Sequence, residues 1–95
     1  MKTCTLYGAR IADMEALHTA LAEGFGFPAW YGRNLDALYD LLTEPSKPAT
    51  LTIYDFDTLT ETLGDKGAAL RRVLTDAGQE NPALTVLLLG HEDEI

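Results

Sequence analysis

Apolar and polar positions along the chain follow two different periods, and the points where one gives way to the other mark out its elements. The opening KTCTLYG alternates small polar with larger residues and stops at Gly8, the pattern of a short strand followed by a turn. From Asp13 the spacing lengthens: Met14, Leu17, Leu21 and Phe25 fall three or four apart, as on one face of a helix. Asp13 is the expected N-cap of that helix, and Gly24 and Gly26 are its expected stops. FPAWYGR then brings a proline and a glycine that interrupt helical geometry, so it reads as a compact aromatic connection. Asn34 is placed to cap a second helix running to about Thr43, and EPSKP breaks it. ATLTIYDF, with its β-branched and aromatic residues, reads as a second strand. A short helix from about Asp57 to Leu63 follows, and Gly64 interrupts it. KGAALRRVLTDAGQE then forms a longer helix that turns Leu70, Val73, Leu74 and Ala77 toward the core. After NPA, the run LTVLLLG is almost continuously apolar, as expected of a strand covered on both faces in a parallel sheet.

Helical crossovers between successive strands point to an α/β layer fold, a small three-stranded parallel sheet packed with about four helices. The pattern leaves the strand order open. With 95 residues and no repeat or low-complexity tract, residues 1–95 are expected to form a single domain.

Composition narrows the partners. Fifteen acidic residues against seven basic ones give a formal net charge of −8, a field that repels nucleic acid and anionic lipid and favours a basic partner. No run approaches the roughly 18 apolar residues of a membrane span, and the start lacks a secretory leader's apolar stretch, so a cytoplasmic protein is expected. A single cysteine, Cys4, has no second thiol for a disulfide or a thiolate metal site, which fits a reducing compartment. The tail HEDEI sets His91 among acids, a pattern commoner in solvated termini than in metal sites, and His18, among alanines and leucines, is read as structural or surface. No phosphate loop, paired nucleophile and base, or nucleophile elbow is present, so neither an enzyme nor a cofactor is expected.

The second helix poses a sharper problem. On a wheel its leucines, Leu35, Leu38, Leu41 and Leu42, gather on one side, while Arg33, Asp36, Asp40, Thr43 and Glu44 occupy the opposite arc with Tyr39 at the border. Asp36 lies in the first turn, where the helix dipole favours an acid, but Asp40 has no such compensation. Like charges one turn apart cost about 0.2–0.5 kcal/mol, tolerable but not a gain in stability, and Arg33 is placed to offset part of it. A solvated face on an acidic protein is one reading; a binding surface is the other. Trp30, Tyr31 and Tyr39 flank the acids in the manner of an interface, although Trp30 and Tyr31 would equally serve to pack the loop on the core.

The string FPAWYGRNLDALYD closely resembles the central motif of the barstar family, intracellular inhibitors of secreted ribonucleases, and the early ALHTAL helix and closing LTVLLL strand fit that family's layout more weakly. The resemblance implies a small parallel sheet with packed helices, and a protein that plugs a ribonuclease active site with its second helix and the preceding loop. Asp40 would be central, its carboxylate standing in for an RNA phosphate among the enzyme's cationic side chains. Tyr31, Gly32, Asn34, Asp36, Tyr39 and Thr43 occupy the other motif positions implied to touch the enzyme. Asp76 and Glu80 fall where the family carries two acids, one a contact and one a contributor to the negative field. Glu44, Pro45 and Lys47 depart from the family's pattern after this helix, Tyr39 replaces a tryptophan and Trp30 a tyrosine, so a ribonuclease distinct from barnase is the implied partner. An acidic regulatory module with a non-nuclease partner is the alternative.

Overall fold

The computed structural model describes residues 2–44 and 48–90. Three strands, β1 (Lys2–Tyr7), β2 (Ala49–Tyr54) and β3 (Leu84–Leu88), form one parallel sheet in the order β1-β2-β3. Four helices connect them: α1 (Met14–Phe25) and α2 (Leu35–Thr43) between the first two strands, α3 (Phe56–Leu63) and α4 (Asp65–Glu80) between the second and third. The α/β class, the parallel sheet and the element order agree with the sequence reading. The loop residues Pro45 and Lys47 and the tail with His91 lie outside the described residues.

Local chemistry sets the helix ends. The Asp13 carboxylate accepts from Ala16 N at 2.8 Å and Asn34 Oδ1 accepts from Ala37 N at 2.7 Å, so both predicted N-caps satisfy otherwise orphaned amides. Gly24 does not stop α1; the helix runs through it to Phe25 and is closed by Gly26 in the left-handed conformation, φ 68°. Lys2 Nζ donates to Phe25 O at 2.8 Å, placing a cation at the negative end of the same helix.

The expectation for β3 is corrected by the structure. Its residues alternate between inside and outside, and Leu87 is 43% exposed, so one face of the strand is open. The order β1-β2-β3 explains why: two successive right-handed crossovers that step in the same direction deposit their helices on the same side of the sheet. Cys4, Leu6, Leu51, Ile53 and Leu84 face that helical layer and are buried, while Thr3, Thr50 and Thr85 stand in one row across the outer face. Tyr7 stacks on Tyr54 in a further row, with centroids 5.5 Å apart.

Leu17, Leu21, Leu38, Leu59, Leu70 and Leu74 fill the space between helices and sheet with no solvent exposure. Helix α2 packs against α4 and is fixed at its far end by Asn81, buried at the α4–β3 corner, which donates to Leu42 O at 2.9 Å. The same side chain accepts from Ala83 N at 3.0 Å, so one amide ties the corner both to itself and to α2.

Candidate functional site

Residues 26–34 reverse the chain between α1 and α2, and their geometry decides which side chains reach solvent. Gly26 turns the chain out of α1, and Phe27 N donates to Ala22 O at 2.9 Å. Tyr31 N then donates to Pro28 O at 3.0 Å, closing a tight turn over Ala29 and Trp30. As a result two adjacent aromatics point in opposite senses. Trp30 is 73% exposed, whereas Tyr31 is only 7% exposed, its ring tilted 4.9 Å from Phe27.

The Tyr31 hydroxyl lies 2.6 Å from Nδ1 of His18, which is itself buried on α1. Burial pushes the Tyr31 phenol up to about 12, with Arg33 opposing the shift. Burial likewise holds the His18 imidazole below its ordinary value, the Arg33 guanidinium adds to the effect, and Glu15 opposes it. The structural reading of His18 therefore stands, but its role as the floor beneath the loop was not visible in sequence.

Arg33 corrects another expectation. It does not screen Asp36: its Nη2 reaches back to α1, 2.6 Å from Glu15 Oε1, 3.0 Å from Glu15 O and 2.6 Å from Thr19 Oγ1. Its backbone is left-handed, φ 55°, an uncommon state for a side-chain-bearing residue and one that the tether to α1 helps to hold. An open groove of about 950 Å³, lined among others by Glu15, His18, Arg33, Asn34, Asp36 and Lys66, separates the start of α1 from the start of α2.

Helix α2 buries Leu38 and Leu42 and exposes Asp36 and Asp40. Among the described residues neither carboxylate has a hydrogen-bonding or ion-pairing partner. Tyr39 is half-buried beside them, Gly32 is exposed, and the Thr43 hydroxyl donates to Tyr39 O at 2.8 Å. Asn34, exposed at the helix start, commits its amide to the cap and to Gly32 O at 3.3 Å. Asp76 and Glu80 lie one turn apart on the exposed side of α4, the helix on which α2 packs. The fold therefore sets the acids predicted from sequence on two adjoining helices, and the loop before α2 projects one indole into solvent. Of the predicted residues, Tyr31 is turned inward and Asn34 is occupied by capping. His18, Arg33 and Asn81 shape this region and were missed, because their partners lie 13 or more residues away in sequence.

Among the described residues no group of three or more acids, cysteines and histidines is arranged to hold a metal ion, and no helix is long and apolar enough to cross a membrane. Residues 1–89 match the family model described as "Barstar (barnase inhibitor)". The chain is also 35% identical over 81 residues to a Bacillus subtilis (strain 168) protein named "Putative ribonuclease inhibitor YrdF", a match that covers 84% of this chain and 89% of that protein.

Proposed function

We propose, from the premise that this chain belongs to the barstar family, that it inhibits a basic ribonuclease by covering the enzyme's active site with α2 and the loop before it. The family and the named relative support an inhibitor's role rather than an enzyme's. One observation carries the proposed mechanism: Asp36 and Asp40 stand exposed on one face of α2 without a cationic partner among the described residues, at a small cost to the free protein. A ribonuclease cleft binds a polyanion and is therefore cationic, so it supplies the charge these carboxylates lack. Asp40 stands in for an RNA phosphate and accepts charge-assisted hydrogen bonds, about twice as strong as neutral ones. Trp30, Gly32, Asn34, Asp36, Tyr39 and Thr43 form the rest of the contact surface, and Tyr31 shapes it from beneath. Asp76 contributes a contact from α4, and Glu80 adds to a negative field that speeds encounter at low salt. The protein acts in the cytoplasm, on a ribonuclease related to but distinct from barnase.

The test mixes the purified chain with a basic ribonuclease encoded beside it and follows RNA cleavage. Inhibition that disappears in Asp40→Ala supports the reading. Binding without inhibition points instead to a regulatory module with a non-nuclease partner, and full cleavage with no complex refutes the proposal.

A further inference from the structure

The buried contact between His18 and Tyr31 lies directly beneath the exposed end of the loop. Trp30 is the neighbour of Tyr31 in the turn, so whatever holds the Tyr31 ring in place also holds the backbone from which the indole projects. Two side-chain ties among the described residues bind this part of the loop to α1: the 2.6 Å contact between His18 Nδ1 and the Tyr31 hydroxyl, and the reach of Arg33 to Glu15 and Thr19. Resting on the function proposed above, we infer that His18 is a positioning residue for the partner-binding loop. Its neutral imidazole holds Tyr31 against α1 and with it the backbone from which Trp30 projects, and uptake of a proton by that imidazole releases the loop and weakens the complex.

The surroundings of the ring favour its neutral form. Arg33 faces it from the loop, and Lys66 lines the same groove from α4. Glu15, Asp13 and Asp36 are the nearby acids, but Glu15 is already engaged by Arg33, and Asp13 by its cap to Ala16. A proton on His18 therefore places a cation in a nearly dry contact, beside another cation whose counter-charge is shared. Opening the loop hydrates that charge. The direction follows from proton linkage: the open state holds the histidine near its ordinary value of about 6.5 and binds more protons, so the closed state loses ground as pH falls below that value. One proton is exchanged, so the ratio of closed to open changes by at most about tenfold per pH unit, and it levels off once the closed form is itself protonated.

Trp30 is the only tryptophan, which makes the test direct. Its emission and its quenching by iodide are followed in the free protein from pH 8 to pH 5, with far-UV circular dichroism confirming that the fold persists. The His18 ring is titrated by NMR alongside. The expected result is a one-proton step in Trp30 emission that coincides with the His18 titration, lies below pH 6.5 and is absent in His18→Gln, whose amide keeps a hydrogen bond to Tyr31 without titrating. Tyr31→Phe, expected to fold because it keeps the ring, should shift Trp30 emission at pH 7 toward the value seen at low pH and reduce the step. Affinity for the ribonuclease should decline through the same window in the wild type relative to His18→Gln, a difference that cancels the enzyme's own titration. A Trp30 signal that is flat to pH 5, or a step that survives in His18→Gln, overturns the inference. Because the loop is read in the free protein, failure to inhibit any ribonuclease would refute the proposed function and leave the result on His18 intact.

Discussion

Replacing Asp40 with alanine tests the proposed contact separately from the fold. In the free protein the Asp40 carboxylate has no partner among the described residues and stands one turn from Asp36 on an exposed face. Its removal relieves a like-charge pair worth about 0.2–0.5 kcal/mol, and alanine adds helix propensity. For a domain of this size the relief corresponds to a rise in Tm of about 1–4 °C. In the complex, truncating one partner of a desolvated, hydrogen-bonded charge pair costs about 2–5 kcal/mol, a range that draws on the barnase–barstar pair itself. That is a loss in affinity of roughly 30- to 4,000-fold, expected mainly in the dissociation rate. Urea unfolding of the free protein and stopped-flow or calorimetric binding to the ribonuclease measure the two halves independently, and Asp40→Asn serves as the isosteric control. A clear fall in the urea midpoint would show that Asp40 is structural. An unchanged Kd would show that the enzyme docks elsewhere.

Leu38→Ala should destabilise the fold by about 2–5 kcal/mol in urea unfolding, because the side chain is fully buried between α2 and its neighbours and leaves a cavity; an unaltered midpoint would contradict that packing. Asn81→Ala should cost about 1–3 kcal/mol, since it strands both Leu42 O and Ala83 N, and should cost more than Asn34→Ala at the exposed helix start, where water can replace the cap. Cys4, whose thiol burial pushes up to about 11, should resist alkylation at pH 8 in the folded protein and react quickly in urea, as mass spectrometry over time would show. Equal rates in the two conditions would refute its burial.

What was legible in sequence was what short-range physics dictates. Asp13 and Asn34 cap as read, because a cap needs only an amide three residues ahead. The leucines of α2 point inward as read, because 3.6-residue geometry fixes their face. The misreadings share a different origin. β3 looked covered on both faces because an apolar run does not reveal on which side the helices land; that follows from strand order, which local pattern does not encode. Arg33 was matched with the nearest acid in sequence, but the left-handed backbone at that residue sends its side chain to Glu15, 18 residues back. Trp30 and Tyr31 could not be told apart because a turn has no periodicity to assign sides. Asp36 and Asp40 stand out by their like-charge spacing, and Asp76 and Glu80 only through the family resemblance, while the supports His18 and Asn81 carry no comparable signal.

The bare outer face of the sheet has a practical consequence. The domain is a slab with a shortest dimension of 20 Å, with helices on one side and rows of threonine on the other. A dye, a surface linker or a fused protein attached through Thr3 or Thr85 would sit behind the molecule and leave the helical side unobstructed. The same separation lets mutations accumulate on the two sides under independent constraints, so a lineage could change its target without retuning its back.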